Sequence, residues 1–378
     1  MEVAMKYVFR MFLMTVTALL IQGNALATDK TDAIPLEYFG MHIHRADNGT
    51  AWPNVPFGSW RLWDAYVGWA NLEPARGKWD FSRLDRYIAM AAITKVDILL
   101  PLAMTPSWAS ARPLEASVYK PGNVAEPARI EDWENYVATV GQRYKGKIKH
   151  YEIWNEPSDK NHFTGDLATL VRLTCSAHRI LKRIDPSIRV VSPASAGGGR
   201  HIEYLDKFLS SGGKDCVDVI AHHFYVFNEP PEAIVPLIKQ VRNVMRKNGV
   251  DDLPLWNTET GWWIANGDGT PDHMMVAKGG WRKLSLDKES GDYLKRAFLL
   301  ARAEGVERFY WYSWDNKYGL GMVEPTTGSP KPMVESWRGL VSELVGATAL
   351  KCDSNLKSWR CAYTKKNGMR AEIAWQVD

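Results

Sequence analysis

The amino-acid sequence predicts a (β/α)8 barrel followed by a small C-terminal β appendage. Eight strand-like stretches alternate with helix-like stretches between residues 39 and 316, and this alternation over more than ~250 residues is typical of such barrels. Polar residues close the fourth and the seventh strand-like stretches. The carboxyl ends of barrel strands are where enzymes of this fold place their chemistry.

A doubly wound open sheet is the alternative fold. No glycine-rich turn of the dinucleotide-binding kind follows the first predicted strand. The glycine run at residues 197–199 follows a predicted strand, but it lacks the lysine and the serine or threonine of a phosphate loop. The barrel is therefore favoured.

The predicted strands are short, mostly apolar runs bounded by polar or turn-forming residues. Such runs are typical of parallel strands that are covered on both faces. The eight strands are predicted to begin at Phe39, Ser59, Val96, Lys149, Ile188, Asp218, Leu253 and Arg308.

The predicted helices lie between these strands and carry apolar residues at helical spacing. In the stretch 130–145, for example, Trp133, Tyr136, Val137 and Val140 share one face. Pro186 sets the end of the longest helix. The predicted helices span residues 84–92, 130–145, 167–184, 204–210, 231–248 and 293–304.

The C-terminal stretch differs from the barrel in its sequence pattern. Residues 346–378 are polar and alternating, and Asn367-Gly368 has the composition of a hairpin turn. So few residues cannot bury a core of their own, so they are expected to pack on the barrel as a partial β-sandwich. The predicted division is a signal peptide at 1–27, a catalytic barrel at 28–340 and the appendage at 341–378.

The N-terminal stretch resembles a secretory signal peptide. Lys6 and Arg10 provide a positive region, residues 11–21 are apolar, and Ala25 and Ala27 form a cleavage pattern. The apolar run is shorter than the ~20 residues that a transmembrane helix needs. We expect cleavage after Ala27 and a periplasmic or extracellular protein without a membrane anchor; an uncleaved anchor is the alternative.

Four cysteines in an exported protein can form two disulfides. Three pairings are possible in principle. Cys352 and Cys361 flank a short turn-rich segment and are predicted to pair, which leaves Cys175 for Cys216. The sequence has no CxxC motif and no His/Cys cluster at ligand spacing, so we predict no metal site and no cofactor.

Composition narrows the classes of partner. The formal charge of +4, from 47 basic and 43 acidic residues, is spread without long blocks of like charge, which argues against nucleic-acid and anionic-membrane binding. The chain has 17 Trp and 15 Tyr against 11 Phe. Trp and Tyr combine a flat apolar face with a polar edge, which suits stacking on sugar rings, although most tryptophans are simply packed.

Two glutamates end predicted strands at equivalent positions. Glu156 follows the apolar run Tyr151-Glu152-Ile153-Trp154, and Glu259 ends Leu255-Trp256-Asn257-Thr258. At the carboxyl ends of strands four and seven they face each other across a barrel. Hydrolysis of a glycosidic bond needs such a pair, one carboxyl protonated and one ionised. Taken alone, Asn-Glu-Pro after a strand also fits the N-terminus of a helix.

The motifs Trp154-Asn155-Glu156-Pro157 and Thr258-Glu259-Thr260 resemble those of retaining glycoside hydrolases of clan A. The chain is most similar to family 39 and its bacterial exopolysaccharide-degrading relatives, over residues 39–316. The resemblance implies that Glu156 is the acid/base, that Glu259 is the nucleophile, and that Asn155 binds the sugar 2-hydroxyl. Relatives often carry a fuller β-sandwich than this chain, which puts an accessory binding function in doubt.

The same resemblance implies further substrate-binding residues at other strand ends. Arg61 would keep the nucleophile ionised, His223 and Tyr225 would point into the site, and Trp314 would floor the subsite of the cleaved sugar. Additional lining residues are His42, His44, Trp108 and Trp262. The core is the expected place for Trp60, Trp63, Trp79 and Trp133. Period-2 alternation puts Glu152 on the face of Trp154 and Glu156, and Asp64 and Asp315 receive no role.

The sequence therefore predicts an exported retaining O-glycosidase that acts on a carbohydrate, with an endo-acting cleft for an extracellular polysaccharide. Alternatives are an exo-acting β-glycosidase such as a β-xylosidase, a transglycosylase, and a non-catalytic polysaccharide-binding protein. Retention predicts carboxyls about 5 to 5.5 Å apart, with a raised pKa for Glu156 and a lowered pKa for Glu259. The sugar and the oligomeric state are not predicted.

Overall fold

A computed structural model describes residues 33–355 and 358–377. The predicted signal peptide, residues 1–27, lies outside the described residues. From Ala33 onward the chain forms one compact unit. Among the described residues, no helix combines the length and the apolar character needed to cross a bilayer.

The central element is a barrel of eight parallel strand positions, as predicted. The sheet order is β5-β4-β3-β2-β1-β8-β7-β6. A two-residue strand, Ser195–Ala196, continues the fifth position and pairs with β6, and a bridge between Val191 and Val219 joins the two ends of the sheet. The strands are β1 Phe39–His42, β2 Ser59–Arg61, β3 Asp97–Leu102, β4 His150–Ile153, β5 Arg189–Val191, β6 Ile220–His223, β7 Leu255–Thr260 and β8 Val306–Trp311.

Burial explains why these runs are apolar. Every residue of β1, β4, β6 and β7 is buried, because side chains on one face fill the barrel while those on the other face lie under helices. Leu99, Trp256 and Tyr310 belong to the small cluster that fills the barrel interior. Polar residues at the carboxyl ends of the strands are thus the exceptions that need partners.

Within residues 33–355 and 358–377, seven longer helices cover the outside of the barrel. Asp166 caps the third by accepting a hydrogen bond from the Thr169 amide, and Ile184 ends it two residues before Pro186, as predicted. Residues 43–58, between β1 and β2, contain no helix. The helices are α1 Ser82–Thr94, α2 Ile130–Arg143, α3 Leu167–Ile184, α4 Arg200–Ser210, α5 Ile234–Lys247, α6 Lys288–Ala303 and α7 Met333–Leu344.

Short elements complete the barrel. Two single-turn helices span Trp69–Leu72 and Met274–Ala277, and 3₁₀-helices span Leu36–Tyr38, Gly213–Cys216 and Pro231–Ala233. The strands Trp263–Ile264 and Lys283–Leu284 pair with each other beyond β7. Most of the tryptophans proposed for the core lie there: Trp60, Trp63 and Trp133 are buried, whereas Trp79 is half-buried and stacks on Phe81.

An antiparallel sheet follows α7, with strands β9 Thr348–Asn355, β10 Ser358–Thr364 and β11 Arg370–Gln376. Gly368 has a φ of 84°, which the predicted Asn367-Gly368 turn requires. Several residues connect the sheet to the rest of the chain: the Cys352 sulfur lies 3.8 Å from the Leu299 carbonyl oxygen of α6, and the Tyr363 hydroxyl donates to Glu343 of α7 at 2.7 Å. Because α7 runs across residues 340 and 341, the division at that point stays a proposal.

The two predicted cysteine pairs are the pairs that the structure joins. Cys175 of α3 is bonded to Cys216 of the following 3₁₀-helix. Cys352 and Cys361 lie directly opposite each other on β9 and β10. Both bonds therefore tie neighbouring elements together, and no cysteine among the described residues is free.

Candidate active site

Two carboxyls meet at the carboxyl-terminal mouth of the barrel. Glu156 lies three residues beyond the end of β4, and Glu259 is the penultimate residue of β7. An oxygen of each carboxylate and a ring nitrogen of His223 all lie within 4.8 Å of one another. An oxygen–oxygen distance this short fits the ~5–5.5 Å separation of carboxyls in retaining glycosidases better than the ~6.5–9.5 Å of inverting ones.

An unusual backbone turns Glu156 into the mouth. Trp154 has a φ of 63° and Glu156 a φ of 45°, a left-handed conformation that costs ~1–2 kcal/mol for a residue with a Cβ. The Glu156 amide donates to the Ala194 carbonyl across 2.9 Å, which helps to hold the turn. Strain of this kind persists at functional sites where the surroundings enforce it.

The same turn overturns one expectation about β4. Glu152 was expected to share a face with Trp154, but its carboxylate reaches Arg61 inside the barrel, while the Trp154 ring packs against Trp133 of α2. Strict alternation ends at Ile153, because a left-handed residue does not continue the pleat of a strand.

Arg61 holds the acidic residues of the site together. Its Nε donates to Glu152 at 2.6 Å, its Nη1 to Glu259 at 2.8 Å, and its Nη2 to the side-chain oxygen of Asn155 at 2.7 Å. The Arg61 side chain is fully buried. Thr258 donates its hydroxyl to the second oxygen of Glu152 at 2.7 Å. A buried guanidinium is stabilised only by such complete pairing.

Glu259 accepts two direct hydrogen bonds. Arg61 donates to Oε2, and the Tyr225 hydroxyl donates to Oε1 at 2.9 Å. Burial raises the pKa of Glu259 to about 7; His223 and Arg61 oppose this shift, and the charge of Glu156 adds to it.

Glu156 has histidines as its partners. Nδ1 of His223 lies 2.7 Å from Oε1, and Nδ1 of His162 lies 3.4 Å from Oε2. Burial acts to raise the pKa of Glu156, but the hydrogen bond and charge of His223 outweigh it and lower this pKa to about 2. The predicted order, with Glu156 raised and Glu259 lowered, is therefore reversed in the substrate-free protein.

A charge count explains the reversal. Three carboxyls surround the single guanidinium of Arg61: those of Glu152 and Glu259 are buried, and that of Glu156 is partly buried. Full ionisation would crowd three negative charges around one permanent positive charge, which burial disfavours. Near neutral pH the Glu156–Glu259 pair therefore holds one shared proton, and its position depends on what else contacts each carboxyl.

The other predicted residues fall into two groups. Asn155 lies at the site; Arg61 occupies its side-chain oxygen, so its Nδ2 is left to donate outward. Trp314 is buried at the mouth, and its amide donates to the His42 carbonyl at the end of β1. The His44 ring packs on Tyr312 with centroids 5.0 Å apart.

Trp108 and Trp262 make their described contacts elsewhere. The Trp108 indole nitrogen donates to the Glu73 carbonyl, and Arg76 lies over its ring. Trp262 is fully buried and packs on Trp311 and Tyr293. None of these contacts is with the carboxyl pair.

Several functional candidates carry little sequence signal. Tyr312 donates to Asp64 at 2.8 Å, and Asp64 has a φ of 55°. Asp315 accepts from the His44 and Arg45 amides and from the Thr50 hydroxyl, so it fixes the loop after β1. These partners come from distant strands, and periodicity within one segment does not reveal such pairs.

A row of aromatic rings leads away from Glu259. Tyr225 stacks on Phe227, Phe227 on Trp281, Trp281 on Trp263 and Trp263 on His273, with centroid distances from 4.5 to 5.5 Å. The row connects the barrel mouth to the segment that contains the strands beyond β7. Flat rings in such a row can bind sugar units beyond the cleaved one.

Glu156, His223 and Glu259 are also the group of described residues that could hold a metal ion. The donor set of two carboxylates and one imidazole is chemically suitable for zinc. However, His223 Nδ1 already bonds Glu156, and Arg61 and Tyr225 already bond Glu259. These hydrogen bonds already occupy both carboxyls and one ring nitrogen of His223, whose Nε2 is buried without a partner.

Comparison with known proteins identifies the family of this chain. The sequence model of Glycosyl hydrolases family 39 matches residues 64–277, more than half of the chain. The match includes Glu156 and Glu259. A curated beta-xylosidase from Geobacillus stearothermophilus is 25% identical over 207 residues, which are 48% of this chain and 40% of that enzyme. The chain thus matches less than half of that relative's length.

Solved structures of similar fold include two with family or activity names. A family 39 glycoside hydrolase from the gut symbiont Bacteroides cellulosilyticus WH2 has a TM-score of 0.69 at 18% identity, over 92% of this chain and 72% of that one. A monomeric beta-xylosidase from Caulobacter crescentus CB15 has a TM-score of 0.61 at 20% identity, over 81% and 67%. At these identities the likeness concerns the fold.

Proposed function

The chain belongs to the family 39 glycosyl hydrolases, and from this premise we propose that it cleaves an O-glycosidic bond by double displacement. One observation carries the proposal: oxygens of Glu156 and Glu259 lie within 4.8 Å of each other at the barrel mouth. Carboxyls this close suit direct attack of a carboxylate on the anomeric carbon, whereas attack by a water between them needs a separation of about 6.5 Å or more. The expected result is retention of anomeric configuration.

Glu259 is the proposed nucleophile. Its hydrogen bonds with Arg61 and Tyr225 fix the carboxylate in one orientation and stabilise its negative charge. Attack on the anomeric carbon forms a glycosyl–Glu259 ester as the bond to the leaving oxygen breaks. As the carboxylate loses its charge, Arg61 remains paired with Glu152, so no buried cation is left without a counter-charge.

Glu156 is the proposed acid and then the base. Its proton goes to the leaving oxygen in the first step, and it takes a proton from water in the second, so the pair recovers its shared proton after each cycle. In the substrate-free protein, burial favours the protonated form of Glu259, and the hydrogen bond from His223 favours the ionised form of Glu156. A glycosidic oxygen that accepts from Glu156, together with contact between Glu259 and the anomeric carbon, favours the opposite placement.

Asn155 is the proposed anchor of the sugar. Since its side-chain oxygen accepts from Arg61, its Nδ2 faces outward as a donor to an acceptor such as the 2-hydroxyl. Hydrogen bonds to that hydroxyl strengthen as the oxocarbenium-like transition state develops.

For the substrate, we propose a terminal β-linked sugar, with β-xylosides as the first candidates. Support comes from the curated relative and from one similar structure, both of which are named beta-xylosidases. Exo action, which the sequence leaves open as an alternative, is better supported than the endo action that the sequence predicts. Endo cleavage remains the second candidate because the aromatic row from Tyr225 to His273 offers stacking surfaces beyond one sugar. The two disulfides support a location outside the cytosol.

A panel of aryl glycosides and polysaccharides tests the proposal. We expect release of the aryl group from a β-xyloside, loss of that activity in Glu259→Gln, and a first product with the β configuration by proton NMR. Release of monosaccharide alone from an oligosaccharide indicates exo action, and internal cleavage indicates endo action. A first product of inverted configuration would refute the nucleophile assignment. Longer products at high acceptor concentration would identify a transglycosylase, and binding of glycans without release of any product would identify a non-catalytic protein.

A further inference from the structure

The two oxygens of the Glu156 carboxyl face different histidines. Nδ1 of His223 lies 2.7 Å from Oε1, and Nδ1 of His162 lies 3.4 Å from Oε2. The first distance is that of a hydrogen bond, whereas the second exceeds the ~2.7–3.2 Å usual for N–H···O bonds. Within the described residues, no hydrogen bond reaches Oε2. Glu156 therefore has one bonded oxygen and one that a ring nitrogen flanks without bonding.

This difference points to the oxygen that carries the proton during catalysis. An ionised carboxylate can only accept hydrogen bonds, so Nδ1 of His223 donates to Oε1. Oε2 is left to hold the proton that the leaving oxygen receives. The Glu156 side chain keeps 15% of its surface exposed, so the two rings do not close it off from a substrate.

The ring of His162 has an unsatisfied nitrogen. Its Nδ1 is buried and has no hydrogen-bond partner in the described part of the chain. Buried polar atoms are nearly always hydrogen-bonded, so an unpaired one needs an explanation. A shift of about 0.5 Å would bring this nitrogen within hydrogen-bond distance of Oε2. Catalytic hydrogen bonds are often long in substrate-free structures and tighten in the transition state.

Backbone hydrogen bonds hold His162 beside the carboxyl. The Trp154 indole nitrogen donates to the His162 carbonyl at 2.8 Å, and the His162 amide donates to the Asp159 carbonyl at 2.9 Å. The Tyr119 ring lies 6.2 Å from the imidazole, measured between centroids. The two backbone bonds do not depend on the imidazole, so replacement of the ring leaves them in place.

We propose that His162 is a positioning residue for Glu156: its Nδ1–H donates to Oε2 as that oxygen gives up its proton. The inference rests on the proposed function of Glu156 as acid and base. The electrostatics of the site support it. Burial acts to raise the pKa of Glu156, whereas His223 and, less strongly, His162 lower it, so both rings favour the ionised carboxyl.

The new hydrogen bond acts mainly in the first chemical step. The proton passes from Oε2 to the leaving oxygen, the bond between that oxygen and the anomeric carbon breaks, and Glu259 bonds to the carbon. Because Glu156 becomes negative, a donor at Oε2 stabilises the transition state more than the state before it. In the second step Oε2 takes a proton from water, and the contact with His162 lengthens again.

Leaving groups of different acidity test this role. A phenyl β-xyloside needs a proton on its leaving oxygen, whereas dinitrophenolate departs without one. We measure kcat/KM on both aryl glycosides for the unmutated protein, His162→Phe, His162→Asn and Glu156→Ala. The Asn side chain places an amide N–H near the position of Nδ1, so it can replace the donor. His178→Phe is the matched control, since His178 is a half-buried histidine of α3 without a described contact to the carboxyl pair.

We expect His162→Phe to lower kcat/KM about tenfold on the phenyl glycoside and less than about twofold on the dinitrophenyl glycoside. His162→Asn should recover most of this loss, and His178→Phe should change neither rate. Thermal melts show whether each variant is folded. Equal losses on the two substrates would show that the ring only packs the loop, and they overturn the proposal, as do unchanged rates on both.

Two further measurements keep the test decisive. If His162→Phe does not fold, His162→Asn is compared with His162→Gln, whose longer side chain does not put its amide at the position of Nδ1; equal rates on the phenyl glycoside then overturn the proposal. Nitrogen NMR of protein with isotope-labelled histidine needs no turnover. It should show a hydrogen on Nδ1 of His162, and a bare Nδ1 overturns the proposal.

Failure of the proposed function gives a different result. If Glu156→Ala keeps its rate on the phenyl glycoside, Glu156 is not the acid, and the role of His162 falls with it. If Glu156→Ala loses that rate while folded His162→Phe does not, the proposed function stands and only the role of His162 fails.

Discussion

Tyr225 donates its hydroxyl to Oε1 of Glu259 across 2.9 Å, while Arg61 occupies Oε2. The carboxylate is therefore held from both sides. Arg61 belongs to β2, Tyr225 lies just beyond β6, and both donate to Glu259 of β7. The orientation of Glu259 is therefore fixed only when these strands are assembled in the barrel.

Replacement of Tyr225 tests the first of these donors. We expect Tyr225→Phe to lower kcat/KM on an aryl glycoside by about 10- to 100-fold, because Glu259, the proposed nucleophile, loses a hydrogen bond that orients it. Tyr136→Phe is the control, since the Tyr136 hydroxyl is buried without a hydrogen-bond partner. Equal activity of the two variants would show that Tyr225 does not position the nucleophile.

The pH dependence of activity follows from the shared proton. The pair holds one proton between the lower pKa of about 2 and the upper pKa of about 7. Above the upper value both carboxyls are ionised and no acid remains, so kcat/KM should fall about tenfold per pH unit. In Glu156→Ala supplied with azide and an activated aryl glycoside, only an ionised Glu259 is needed. We expect the alkaline fall to disappear; its persistence in that variant would assign the fall to another group.

Glu152 provides a test of the buried charge cluster. Glu152→Gln removes the charge that balances Arg61, and breaking a buried pair in this way costs about 3 to 5 kcal/mol of the free energy of unfolding. The uncompensated Arg61 also stabilises ionised Glu259, so the alkaline limb of activity should move to lower pH. Urea titration and a pH profile measure the two effects. Glu131→Gln, at an exposed pair with Arg129, should change stability by less than about 0.5 kcal/mol.

Asp97 makes the free energy of unfolding depend on pH. Burial acts to raise its pKa, but His150 and Arg308 outweigh burial and lower it to about 2. A lowered carboxyl pKa stabilises the fold above the unfolded value of about 4, and this contribution is lost as the pH falls through about 2. Asp97→Asn should cost about 2 kcal/mol at pH 7. Denaturant titrations from pH 7 to pH 2 should show the gap to the unmutated protein closing below pH 4; a constant gap would contradict the assignment.

The barrel was predictable because its strands are local signals. Each strand is an apolar run that ends in polar residues, and α3 is bounded by Asp166 and Pro186. Both patterns are visible within a single segment of the sequence. Helix α7 was not predicted, nor were the short paired strands between Trp263 and Leu284. These elements form because they pack against the folded barrel, and the local sequence of one segment does not predict such packing.

The site was predictable in its residues more than in its electrostatics. The resemblance located Glu156, Glu259 and Arg61, and the structure brings all three together. The resemblance did not pair Glu152 with Arg61. The expectation that Glu152 and Trp154 share a face failed because Trp154 adopts a left-handed φ, which ends the alternation of the strand. The pKa order was also missed, since the position of one shared proton depends on every charge around it.

The pairing of Arg61 with Glu259 also bears on how the protein is made. The two residues are 198 positions apart, and Glu152, the other counter-charge, is 91 positions from Arg61. During synthesis on the ribosome, Arg61 emerges long before either carboxylate, so it must stay hydrated until β4 and then β7 arrive. Nascent chains that end before residue 259 cannot complete the site. Catalytic activity therefore requires that the barrel has closed.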